Sequence, residues 1–404
     1  MSFQTGLSGL NASSRNLDVI GHNIANANTT GMKSSRAEFA DLVASSIGLA
    51  SGNGNGLGVT VETVSQQFSQ GNINITGNSL DVAINGSGFF QLQMADGTTS
   101  YTRAGNFKLD RDGFIMSNAN AKVMGYATDT AGAVQNVMAT PLQLPTGAPI
   151  PAQQTSSITA ELNLDARSPI ASTVTPPTPR ATYGTALTAY DSQGVPLPVA
   201  LYFEKITPAV AGTDEWAVYD SLTGPTIGSM VFDATGSLTS APTLNLTLTP
   251  AAPSIVPPFP VTLNVGTVTQ YGGPFAVSNL TQDGYPPGEL VDLKIAESGV
   301  ITARYSNGQS QAAGMLALAD FRNVQGLAPI GGNNWVETYT SGQPMLGQPG
   351  TGKFGTTRSG ALEESNVDLT AELVNMMTAQ RSYQANAQTI KTQDQVLQTL
   401  VNLR

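Results

Sequence analysis

The chain has 404 residues, 40% of them apolar, which is enough for two or three domains with real cores. Only 11% of its residues are charged, far below the roughly 25% of an ordinary soluble domain, and Gly, Asn, Ser, Thr and Gln fill the gap; such a surface suits contact with other copies of the chain. The net charge is −10, the 18 basic residues are spread thinly and there is no cysteine, so phosphate-binding clusters, disulfides, cysteine-ligated zinc, iron–sulfur clusters and thiol catalysis are all excluded.

At the N-terminus Phe3, Leu7, Leu10, Leu17 and Ile24 recur at spacings of four and three, with Ser14 and Gly21 on the same seam, and predict a helix over 1–31. Asn26, Asn28 and Gly31 are residues that end helices. The stretch lacks a basic n-region and a continuous apolar h-region, so no cleavable signal peptide is expected. No apolar run of about 18 residues is present to cross a bilayer. Residues 32–71 read as an extended connection, because Gly48 to Gly58 is dense in Gly and Asn.

From 72 to 145 the period switches to two. Leu80, Val82 and Ile84 meet Asn85-Gly86-Ser87-Gly88 before Phe89, Phe90 and Leu92, a strand, turn and strand pattern. Phe107 and Leu109 enter Asp110-Arg111-Asp112-Gly113 and leave through Phe114 to Met116, which predicts a second hairpin. Of the 24 prolines, 17 lie between Thr146 and Gly284. That concentration marks 146–284 as a separate inserted β domain of short strands, such as Val199 to Phe203 and Trp216 to Tyr219, arranged as a sandwich or barrel. It holds three basic and nine acidic residues, so it is expected to face solvent. Residues 285–360 return to the first β-rich domain.

Over 361–404 Leu369, Leu373, Met376, Tyr383, Ala387, Ile390, Leu397 and Val401 repeat the N-terminal rule, with Gln380 and Asp394 as polar members and Ser365 to Asp368 as a capping box. About 35 residues of helix span about 50 Å. Both terminal helices carry further apolar residues off the seam: Val19 and Ile20 in one, Val374, Met377, Val396 and Leu400 in the other. A hairpin within one molecule would leave a second stripe exposed, so packing among several subunits is expected, with the simple hairpin as the alternative. The fold class predicted is mainly β with long α-helices at both termini, nested so that one β domain interrupts another.

Catalytic material is sparse. His22, the single histidine, has no nucleophile and base pattern around it. Asp110-Arg111-Asp112-Gly113 lacks the Gly and Glu of a calcium loop, and Gly52 to Gly58 fits neither phosphate-binding spacing. Asp214-Glu215 and Glu363-Glu364 read as solvated pairs. No enzyme activity and no cofactor or metal is expected.

The run Leu17 to Asn26, containing Asn23, Ile24, Ala25 and Asn26 and followed by Thr30-Gly31-Met32-Lys33, resembles the N-terminal signature of bacterial flagellar rod and hook proteins, with Met32 where an aromatic residue is usual. Gly360 to Leu369, Gln380-Arg381-Ser382-Tyr383 and Leu400 to Arg404 are similar to the matching C-terminal signature. Length and the large insertion favour a hook member over a distal rod member; a secreted β-rich adhesin or carbohydrate-binding protein is the alternative of a different class. The resemblance implies a subunit of a curved hollow tube, its terminal helices lining the channel and its inserted domain outermost, acting as a universal joint that passes torque to the filament. It further implies export through a type III apparatus to the extracellular flagellum, and contacts with rod, hook-cap and hook–filament junction proteins. Nucleic acid is not an expected partner.

Overall fold

The computed structural model describes residues 2–43, 56–145, 147, 149–252 and 254–402. The chain is mainly β with a helix at each end, α1 (Ser2–Ala25) and α2 (Leu369–Asn402). It divides into two compact units, one of Met1–Gly147, Asp292–Arg304 and Ser310–Arg404, the other of Ala148–Val291 and Tyr305–Gln309.

The second unit is built from two sheets over one core. Residues 157–165 and 196–206 alternate buried and exposed positions along their length, the period-two pattern that puts Ile158, Ala160, Leu162 and Leu164 from one sheet and Val199, Leu201 and Phe203 from the other into the same interior. Trp216, Met230, Phe232 and Leu263 complete that core. Within this unit the incoming segment 150–153 and the outgoing 285–288 pair antiparallel, and the Asp283 carboxylate accepts from the Ser156 and Ser157 amides. The prolines at 286 and 287 therefore lie within this hydrogen-bonded pairing.

In the first unit the β body is knit from both halves of the sequence. Residues 89–93 pair with 99–102, 122–126 and 318–320, while 82–85 pairs with 356–359 and 73–75 with 361–363. A cluster of Phe68, Phe89, Tyr101, Phe321 and Trp335 meets edge to face at its centre. Asp110 to Gly113 forms the expected hairpin turn, with Gly113 at φ 83° and its N–H donating to the Asp110 carbonyl.

Three expectations change. The strands flanking Asn85-Gly86-Ser87-Gly88 form, but 82–85 pairs across the chain with 356–359 rather than back onto 89–93, because the turn carries the chain from one sheet to another. Much of the 32–71 connection is a β-hairpin, β1 (Ser35–Val43) against β2 (Gly56–Gln66); the β-branched run Val59 to Val64 drives it, and most of the Gly/Asn stretch, 48–55, lies outside the described residues. Finally, Asp368 caps α2, its Oδ1 accepting from the Thr370 and Ala371 amides, whereas Ser365 closes a local turn to Val367.

Candidate functional site

The two terminal helices run antiparallel against one another. Small residues of α1 bring them close: a Cβ at Gly6 would lie 3.1 Å from Ile390 Cγ1, and one at Gly9 3.0 Å from the Asn386 amide. Asn386 donates to Ser13 Oγ at 3.4 Å, and Ala12, Ile20 and Ala379 are buried near the same line. Small residues let the backbones approach, so the seam closes with little apolar area.

Many of the residues picked out by periodicity are left outside. Phe3, Leu7, Leu369, Leu373, Tyr383 and Leu397 are exposed, from 37% for Tyr383 to 52% for Leu373. Leu10, Leu17, Ile24, Met376 and Ile390 are half-buried, with Ile390 against Gly6 of α1. Val401 lies in α2, its side chain outside the described residues. Of the off-seam residues, Ile20 turns inward while Val374, Met377 and Val396 stay exposed. The β-hairpin adds a patch that periodicity did not single out: Phe39, Leu42 and Val64 are exposed. Its β2 end is fixed by Trp335 Nε1, which donates to Gln66 Oε1 at 2.5 Å, and by the Val59 amide donating to Ser8 Oγ.

Beneath this apolar surface the signature residues form a buried junction where the two chain ends meet. Asn23 is buried; its side chain accepts from the Ser35 amide at 2.9 Å and donates to the Ser35 carbonyl at 2.8 Å and to Glu372 Oε1 at 3.3 Å, tying α1 to β1 and α2. Asn26 donates to the His22 carbonyl and ends α1, and the Thr30 carbonyl accepts from Asn333. Ile24 is half-buried and Ala25 exposed at the last turn. Gly31 has φ 70°, and a Cβ there would meet the Ala104 nitrogen at 2.5 Å, so no other residue fits. Its N–H donates to the Glu363 carbonyl.

Lys33 is fully buried. Its Nζ donates to Glu363 Oε1 at 2.6 Å and to the Ser69 carbonyl at 2.7 Å. Arg103 reaches Glu363 Oε2 at 3.2 Å, and the Gly71 amide donates to Oε1. Burial pulls the Lys33 and Arg103 pKa values down, with the Glu363 carboxylate opposing it in both. Glu363, read from sequence as half of a solvated pair with Glu364, is instead wholly enclosed. Asn366 completes the junction: its Oδ1 accepts from the Ser34 amide, and its amide donates to the Gln67 and Ser69 carbonyls. No cluster of metal-ligating side chains occurs among the described residues, and no described helix is long and apolar enough to cross a membrane.

Joined ends, a β body and an outward apolar helix pair define a class, and the comparisons with known proteins agree with it. Family models for a flagella basal body rod protein match 3–33, the flagellar hook protein FlgE/F/G D1 domain 83–161, the flagellar basal body protein FlaE D2 domain 163–285, and the flagellar basal body rod FlgEFG protein C-terminal region 358–403. The flagellar hook protein FlgE of Salmonella typhimurium is 41% identical over the whole of both chains, and that of Escherichia coli 40%. The hook protein of Treponema pallidum is 34% identical, covering 100% of this chain and 99% of its own. The crystal structure of Helicobacter pylori flagellar hook protein FlgE2 has the same fold, with TM-score 0.54 at 16% identity over 72% of this chain and 100% of that one. The chain belongs to the flagellar hook protein family, whose members are structural subunits rather than enzymes.

Proposed function

We propose that this chain polymerises head to tail into the curved hollow tube of the hook and, as a universal joint, passes torque from the rod to the filament. The observation that carries this reading is the unpartnered apolar surface of the helix pair. Pairing within one chain consumes the small-residue seam and leaves Phe3, Leu7, Leu373, Val374, Met377 and Leu397 exposed, an apolar surface that neighbouring subunits would cover. Contacts of this kind, between different patches on successive copies, generate an open helix when the rotation from one copy to the next does not close.

In this arrangement 1–31 and 361–404 form the inner tube and the β body a middle layer. The inserted domain, about 146–284, stands outermost, in keeping with its excess of acidic residues. The subunit leaves the cell through the type III export apparatus and meets rod, hook-cap and hook–filament junction proteins at the ends of the polymer. Electron microscopy of the purified protein tests the reading: long helical tubes are expected, and closed oligomers of fixed size would overturn it in favour of an oligomeric adhesin.

A further inference from the structure

The buried charges around Glu363 call for an explanation that stability does not supply. Two cations, Lys33 and Arg103, share one carboxylate, and all three are nearly or wholly removed from water. Desolvating three charged groups offsets most or all of their mutual attraction, and apolar side chains of similar volume would fill the same space at no loss of stability.

What the charges do supply is geometry. The Glu363 carboxylate accepts from Lys33, just beyond α1, from Gly71, just beyond β2, and from Arg103 in the β body, while its own carbonyl holds the Gly31 N–H. Glu363 itself lies in the last strand before α2. Arg103 is held in turn against the Phe89 ring, 5.2 Å from its centroid. Asn366 and Asn23 repeat the pattern on either side, each joining segments from opposite ends of the chain. A sideways shift of either helix base would separate charges in a low-dielectric interior, where the penalty rises steeply with distance. An apolar plug of the same volume tolerates such a shift.

We propose that the Lys33–Glu363–Arg103 triad is a positioning device: it fixes the direction and register in which α1 and α2 leave the β body, and so sets polymer geometry rather than fold stability. The part about the polymer rests on the assembly reading above; the part about the helices does not. The chain has no cysteine, so Asn78→Cys in the β body and Gln388→Cys on α2, both at exposed positions, take spin labels cleanly in the full-length protein.

Lys33→Met/Arg103→Met/Glu363→Leu is expected to melt within the range of the parent, to show a broadened or displaced label-to-label distance, and to give tubes of altered pitch or none. A parental distance distribution together with tubes of parental pitch would overturn the proposal. So would a triple variant that fails to fold, since the triad would then be a stability element. Glu363→Gln, which keeps the shape but removes the charge, gives a second reading: it should broaden the same distance, and an unchanged distribution in the folded variant counts against the triad's role. If the parent itself forms no tubes, the assembly reading fails while the label distance still decides whether the triad positions the helices.

Discussion

Glu363 holds two cations where Lys33 and Arg103 each hold one anion, and this asymmetry orders the consequences of losing them. Truncating one partner of a buried pair costs about 3–5 kcal/mol, because the other is left charged and unsolvated. Glu363→Ala strands two charges and Lys33→Ala only one carboxylate that Arg103 still neutralises. Thermal melts of the purified monomer should therefore rank Glu363→Ala well below Lys33→Ala; equal losses would mean that Arg103 does not share the carboxylate in solution. A second prediction concerns Tyr101 in the aromatic cluster. Burial, aided by the Glu337 carboxylate 3.2 Å from its hydroxyl, pushes its phenol up to about 12, against about 10 in an unfolded chain. Between these values the unfolded state releases a proton that the folded state keeps, so stability is whole below pH 10 and falls as pH rises towards 12. Tyr126 and Tyr305 shift in the same direction, by burial alone. Denaturant titrations across this window should show a shallower loss for Tyr101→Phe than for the parent, and parallel curves would refute the assignment.

The helices, the Asp110 to Gly113 turn and the period-two strands of the second unit are legible in the sequence because each is declared by local periodicity or turn chemistry. What could not be read is pairing at a distance. Nothing within residues 82–85 announces a partner at 356–359, and β1 and β2 were masked by the Gly/Asn stretch between them. Apolar periodicity shows where a helix is adhesive but not to what; the seam closed within the chain is marked by Gly6, Gly9, Ala12 and Ser13, which carry almost no hydrophobic signal. In the same way Asn23 and Lys33 stand out only through the family resemblance, Gly31 otherwise only as a helix-ending residue, and Arg103 not at all. The small-residue seam is itself testable. Gly9→Leu places a side chain where even a Cβ sits 3.0 Å from the Asn386 side chain, so Asn386 must swing aside, losing its bond to Ser13, and the helices are pushed apart. Better helix propensity, worth about 0.5–1 kcal/mol, pulls the other way. Circular dichroism should show helix retained, while protease should cut α1 faster than in the parent; unchanged protection would show that the helices do not meet at Gly9.

At the scale of the whole molecule, each unit owns its core. A fragment of residues 148–291 should be soluble and melt cooperatively, since Trp216, Phe203 and Leu263 pack within it and its entering and leaving segments pair; amide shifts collapsed to random-coil positions would deny it independence. Leu397→Asp separates fold from assembly most directly. Leu397 is 49% exposed in the single chain, so the substitution should leave the melting of the β body within about 0.5 kcal/mol of the parent. In the tube proposed above the same residue would sit on a subunit contact. Burying a Leu contributes about 1.5–3 kcal/mol, and an unpaired carboxylate in its place adds its own desolvation penalty. Every added subunit meets the same defect, and about 3 kcal/mol weakens each addition step roughly a hundredfold. Polymer yield by sedimentation should therefore collapse while the monomer melt is unchanged. Tubes at parental yield would remove Leu397 from the interface, and a melted β body would show instead that α2 supports the fold of the single chain.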